Sequence, residues 1–288
     1  MLCMMRYQCD RLFSSKRWLF VLMIDAFLAL GVVLYREDTV TYLLTKYHIA
    51  APANIWDVPV EALCASILTI FILVATFVFL VGDAFLRDQQ TGRLPMLVSR
   101  ARDRATWFVS LIPAVFLAAV AFVATAIAVS LIVALLFLPA GRSFSSFLTS
   151  SVKQVRDLRS FYFLPNMSIA PPLFFAGVVG YLAPALCCLA LLSVVVSIWW
   201  RQAIAVFVPV AWIFLDLMLG NAAIRFLPGG DRFLFSTQLQ LTRHWQWANY
   251  PTMAVLYPFP VIASVVTFIA LCILSSIVGY WSARHVDL

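Results

Sequence analysis

The chain has 288 residues, of which 64% are hydrophobic and 11% charged, and it carries a net charge of +7. Soluble domains carry about 25% charged residues, so this balance excludes a water-soluble globular protein and points to an integral membrane protein. In that setting the positive charge fits basic loops meeting anionic lipid headgroups rather than nucleic acid.

In chain order, a polar lead of residues 1–17 comes first and reads as an amphipathic helix at the membrane interface. Leu12, Phe13 and Trp18 are expected against lipid, with Arg11, Lys16 and Arg17 turned outward. The apolar run from Trp18 to Tyr35 is of membrane length and ends in "LYREDT" rather than at a small-residue cleavage site. It therefore reads as a retained span, not a signal peptide. Runs long enough to span occur at 18–35, 63–86, 107–138, 173–198, 203–219 and 257–281. The third is about 48 Å long as a helix, so it tilts or projects beyond the hydrocarbon. The fifth is barely long enough and is parted from the fourth only by "WWRQ". Pro113, Pro184 and Pro209 fall inside spans, where neighbouring helices satisfy the freed carbonyls. The expected fold is an all-α integral membrane protein, a single transmembrane domain over 1–288 with six spanning helices.

Orientation follows from Lys and Arg near the span ends. With the N-terminus inside, the inner segments hold Arg6, Arg11, Lys16 and Arg17, the five arginines from Arg87 to Arg104, and then Arg201 and Arg284. Those segments are much shorter than the outer ones, so basic density places both termini in the cytoplasm and the protein in a cell membrane, inner or plasma. Outside, Phe144, Leu148, Val152, Val155, Leu158 and Tyr162 recur at helical spacing and read as a surface helix. The last outer segment, 220–256, is half apolar and broken at "PGGD". It is expected to dip partway into the membrane and return, with Trp245, Trp247 and Tyr250 at headgroup level. "NMS" at Asn166 matches a glycosylation sequon but reads as a turn before "APP".

Chemistry-bearing motifs are few. The six cysteines show no C-x-x-C and read as small apolar side chains. There is no phosphate-binding G-x-x-x-x-G-K-[ST], and His48, His244 and His285 lack metal or protease spacing. No catalytic residue, metal site or cofactor is expected in this chain. Asp25 lies mid-way along the first span, and Asp216 lies toward the outer end of the fifth. A charge at the bilayer centre costs at least about 2.5–3.5 kcal/mol, so each is expected to face the bundle interior. They are either polar points on a translocation pathway or helix–helix hydrogen bonds. A carrier coupled to ions or protons through Asp25 and Asp216 is one alternative, although two carboxylates without an internal repeat fit it poorly.

The densest charge falls in "FLVGDAFLRDQQTGRLPMLVSRARDRATWF", Phe79 to Phe108. Leu86, Leu94, Met96, Leu97 and Val98 can lie on the membrane while the arginines and Asp88 face the cytoplasm. Gly92 and Pro95 break the segment into helix, turn and helix. An orienting anchor accounts for the arginines but not for the length or the ordered break. The arrangement resembles the membrane subunits of ABC type-2 transporters. Asp88 matches that family's acidic residue, Gly92 its glycine, "LPMLVSR" at 94–100 its apolar turn and "ARDRATWF" its re-entry into the third span. Arg93 stands where the family has Thr, and Ser110 where it often has Lys.

The resemblance extends over the whole chain: six spans, an amphipathic lead, a short fourth-to-fifth connection and a semi-apolar outer segment. It implies that the loop after the second span is a coupling helix seated on a separate cytoplasmic ATPase subunit, which binds ATP and Mg. Asp88, Gly92, Arg93, Arg100, Arg102 and Arg104 would form that interface, with Arg201 as a second contact. A second permease copy, or a related permease chain, would complete a pathway lined by the first, second and fifth spans. Segment 220–256 would be its outer gate. Export of a lipid-linked, peptide or other amphipathic cargo is the expected function. The remaining alternative is a non-transporting scaffold or sensor paired with the ATPase.

Overall fold

The computed structural model describes residues 2–47, 52–65, 67–82, 84–92, 96, 103–145, 169–200, 206–226, 233–241, 244 and 260–285. The helices are α1 (Leu2–Phe13), α2 (Arg17–Tyr47), α3 (Asp57–Val60), α4 (Ile67–Val81), α5 (Ala84–Gln90), α6 (Arg104–Phe137), α7 (Pro171–Trp200), α8 (Val208–Phe226), α9 (Phe235–Leu239) and α10 (Val261–His285). Between α3 and α4 the chain passes through a π-helical turn, Glu61–Ala65. No strand occurs among the described residues.

Five helical stretches are long and apolar enough to cross a membrane: Arg17–Asp38, Ile70–Gln90, Arg104–Phe137, Pro171–Trp200 and Val261–His285. They coincide with the first four and the last of the expected runs. The expected fifth run falls on α8, whose apolar stretch Val208–Leu219 is shorter, and 203–205 lie outside the described residues. The protein thus has an all-helical, membrane-spanning architecture. The surface helix expected over 144–162 lies outside the described residues beyond Ser145, as do Asn166, Trp245, Trp247 and Tyr250.

The bundle is built around α6 and α7. α7 touches α4, α5, α6, α8 and α10, while α6 also touches α1, α2, α3 and α10. Small residues permit the close approach: Ala114, Ala118, Ala119 and Ala126 of α6 are all buried. The outer helices are two-faced. On α2, Val21, Asp25, Ala29, Val32 and Arg36 form the buried stripe, and Leu19, Met23, Phe27, Leu30 and Leu34 the exposed one. Both recur at steps of three or four, as a helix half in contact with lipid requires. On α10 the inward side is small apart from Phe268, with Ser264, Ser275, Ser282 and Ala283 buried, while Ile262, Val266, Ile269, Ile273 and Ile277 face out.

Local chemistry sets the ends. Asp103 caps α6: its backbone is extended and its side chain accepts from the Thr106 amide at 2.5 Å. Pro171 opens α7 in the first turn, where a missing N–H costs nothing. Past α5, Gly92 takes the left-handed conformation (φ 65°), and its amide donates to the Gln89 carbonyl at 3.1 Å. The sequence places the break there, and the backbone breaks there.

Candidate functional site

At the end of the bundle that holds the N-terminus, α1 packs on the start of α6. Asp88, near the end of α5, is only 2% exposed. The Arg11 guanidinium donates to both of its carboxylate oxygens, at 2.6 and 2.5 Å. Arg17 donates to the Phe79 carbonyl at 2.6 Å and lies 4.6 Å above the Phe79 ring. Phe79 is in the last turn of α4, where carbonyls lack helical partners, so a cation is a natural cap. The Trp18 indole closes the α1–α2 corner by donating to the Leu12 carbonyl at 2.9 Å.

This corrects four side-chain orientations expected from the sequence. Asp88 does not face the cytoplasm, Arg11 and Arg17 turn inward, and Leu12 joins the core instead of lipid. Arg17 turns in to cap the Phe79 carbonyl and Leu12 lies on the inner face of α1, while Asp88 and Arg11 share one physical reason. A carboxylate on a helix continuous with an apolar span must be paired, and α1 supplies the cation. Of the other expected interface residues, Gly92 is exposed at the helix end, and Arg104 opens α6. Arg93, Arg100, Arg102 and Arg201 lie outside the described residues.

At the opposite end, Arg36 forms an ion pair with Glu61 of the π-helical turn, both buried. Asp57, at the start of α3, is fully buried; it accepts from the Ser145 hydroxyl at 2.8 Å and the Asn54 amide at 3.0 Å. Asn54 donates from its side chain to the Ser143 carbonyl at 2.8 Å, and the Trp56 indole to the Gly141 carbonyl at 2.7 Å. Burial pushes the Asp57 and Glu61 carboxyl groups above their ordinary range, with Arg36 opposing the shift in both. Sequence reasoning missed this clamp, because Arg36 and Glu61 each read as the polar border of an apolar run. The available signal was that Arg36 continues the Val21–Asp25–Ala29–Val32 stripe.

Between the two ends, residues 233–241 and His244 turn into the bundle, as the half-apolar composition of 220–256 predicts for this described part of it. α9 is buried along its whole length. Phe235 packs on Phe268 and Trp212, with ring centroids 5.2 and 5.4 Å apart. Asp216 of α8, 6% exposed, accepts from the Ser236 amide at 2.7 Å and so satisfies an N–H in the first turn of α9. On the other side, the Tyr181 hydroxyl of α7 bonds the Gln238 carbonyl and meets His244 Nε2 at 2.6 Å. A carbonyl can only accept, so the single phenolic proton goes to Gln238 and His244 must donate from Nε2. Tyr181 was not singled out by sequence reasoning, and His244 was set aside there for want of metal or protease spacing. Tyr181 is ten residues, about 15 Å, into α7. A lone hydroxyl at such depth was the one clue that a polar partner would reach it.

Asp25 differs from all of these. It is 2% exposed on the inward stripe of α2, and neither carboxyl oxygen has a hydrogen-bond partner among the described residues. Nor is any group of three His, Cys, Asp or Glu side chains placed to hold a metal ion among those residues. Together the sites can fasten, clamp and plug a helical bundle, and Asp25 is a buried acid held in reserve. Neither a protein-family model nor a curated protein matches the chain, so these residues alone carry the functional reading.

Proposed function

We propose that the chain is the membrane subunit of an ATP-driven transporter of the ABC type-2 kind. It pairs with a second copy or a related permease and is powered by a separate cytoplasmic subunit that binds ATP and Mg. The observation that carries this reading is the buried Arg11–Asp88 pair. A loop that only orients a protein needs exposed arginines and nothing more. A loop that transmits force must be fastened to the helices it moves. Here the last turn of α5, just before the charged loop, is bonded to α1; α1 in turn packs on α6 and leads directly into α2. A push on 93–102 would therefore arrive at two spans at once, as rigid-body switching between two packings requires.

In this reading Asp88 and Gly92 set the root of the coupling segment. Arg93, Arg100 and Arg102 meet the ATPase, Arg104 anchors the return, and Arg201 makes the second contact. α8 serves as the fifth of six spans, both termini lie on the cytoplasmic side of a cell membrane, and the segment 220–256, with its inserted part 233–241, acts as the outer gate. An interior lined by Phe, Leu and Val suits export of an amphipathic cargo, whether lipid-linked or peptide, over a hydrated ion.

The test is co-purification of the tagged chain with an ABC ATPase from the same genome, against a variant carrying R100E and R102E. Retention by the native chain and loss in the variant is the expected result. Equal retention by both, or by neither, sinks the proposal. Asp25 favours a second reading, a proton-coupled carrier, because an unpaired buried acid is what proton exchange needs. That reading requires cargo movement driven by a pH gradient without ATP and abolished in D25N.

A further inference from the structure

We propose that the cleft between the start of α6 and the end of α10 binds the phosphate of an anionic phospholipid of the phosphatidylglycerol type. The cleft has a volume of about 550 Å³ and is lined by Asp103, Arg104, Ala105, Tyr280, Ala283 and Arg284. Its origin is steric. One turn deeper, α6 and α10 touch so closely that a Cβ on Gly279 would overlap the Phe108 ring, which is itself fully buried. Beyond that contact the two helix ends part, and charged side chains line the gap.

Three features select the ligand. Arginines from two helices line one space, the chemistry that phosphate oxygens take, and the N-terminus of the 34-residue α6 adds its partial positive charge on the same side. Asp103 is the one acid among the described residues of the lining, where its carboxylate accepts from the Thr106 amide and lies in the field of Arg284. Two arginines beside one acid among those residues favour an anionic group such as a phosphodiester. A headgroup amine would have to compete with Thr106 for Asp103, and this disfavours a zwitterionic lipid.

The third feature is position. Trp199 stacks on Trp281 with centroids 6.4 Å apart and donates from its indole to the Ser282 hydroxyl at 2.8 Å. Tryptophans that are half apolar and half bonded, at the ends of two spans, mark the headgroup level. From there the exposed stripe Ile277, Ile273 and Ile269 runs down α10, ready to take acyl chains. A free phosphate would make no use of that stripe, whereas a phospholipid engages both parts. The site is independent of the transporter reading, since a basic pocket between spans can hold lipid in any membrane protein.

The experiment is thermal unfolding of the purified full-length chain in neutral detergent, titrated with phosphatidylglycerol, phosphatidylcholine or glycerol 3-phosphate. Phosphatidylglycerol is expected to raise the midpoint by several degrees while the other two do not. The rise should vanish in R104Q/R284Q and persist in R104K/R284K. An equal rise with phosphatidylcholine, an equal rise with glycerol 3-phosphate, or a full rise in the glutamine pair overturns the proposal. Photo-crosslinkable phosphatidylglycerol on the native chain decides the matter if the glutamine pair does not fold. Label must then fall on peptides containing Tyr280 and Arg284, and label confined to other spans overturns it equally.

Discussion

Asp216 and Asp25 are buried to a similar degree, at 6% and 2% exposure, on two different helices, α8 and α2. Asp216 holds the Ser236 amide and thereby fixes the inserted α9; Asp25 holds nothing among the described residues. The sequence presents them alike, as single acids within apolar runs. The difference teaches that a buried charge has two possible justifications. One is a bond that offsets its desolvation, and then the residue belongs to the fold. The other is use, because an unoffset cost gives the folded state nothing. By that criterion Asp216 is structural and Asp25 is the functional candidate.

The sharpest break in the comparison comes from a third buried acid, Asp88, which lies on the structural side with Asp216. Arg11→Leu removes the main partner of the Asp88 carboxylate and leaves it with Arg87 and Trp107, so the expected loss approaches the roughly 3–5 kcal/mol cost of breaking a buried ion pair. R11L/D88L should recover most of that loss, because an apolar pair needs no partner. Denaturation midpoints in detergent read both. A single variant as stable as the native chain would mean that the pair does not fasten α1.

Asp216 itself comes next. Asp216→Leu leaves the Ser236 amide buried without an acceptor, at a cost of about 1–3 kcal/mol, whereas Asp216→Asn keeps an acceptor and most of the stability. The same midpoints decide it. Equal losses in the two variants would show that the charge, not the hydrogen bond, matters there.

Asp25 is predicted to behave in the opposite sense. Asp25→Leu removes an acid that no described group holds, so the midpoint should stay within about 0.5 kcal/mol of the native value or rise. Transport, assayed in proteoliposomes, should fall severalfold in the same variant. A destabilised D25L would return Asp25 to the structural class and dissolve the contrast.

Much of this was legible in advance, for reasons that differ by residue. Five spans follow from run length alone, since an unbroken apolar stretch has no other stable placement. The break at Gly92 was readable because only glycine takes φ 65° without strain. The inward turn of 233–241 was readable from its mixed composition. The partners were not readable. Arg11 is 77 positions from Asp88, and Tyr181 is 63 from His244. Periodicity shows which face of a helix is buried, but not which other face it meets. Asp88 was misplaced for a related reason: a charged residue at a span end reads as solvated until a second element is known to cover it.

The smallest effect concerns a fourth aspartate, Asp103, which is exposed and bonded and so tests whether burial is essential to the comparison. The Thr106 amide holds its carboxyl below the ordinary value of 3.8. The folded state therefore favours the ionised form more than the unfolded state does. That stabilisation is fully present above pH 3.8 and is lost as pH falls through the lowered folded value. Solvent screens an exposed cap, so its worth is under about 1 kcal/mol. Asp103→Asn keeps an acceptor for Thr106 but has nothing to titrate. The difference between native and variant midpoints should be flat from pH 7 to 4 and shrink below it. A difference that is unchanged down to pH 2 would mean that the charge of Asp103 contributes nothing to the cap. In that case bonding alone, without ionisation, is what separates the structural aspartates from Asp25.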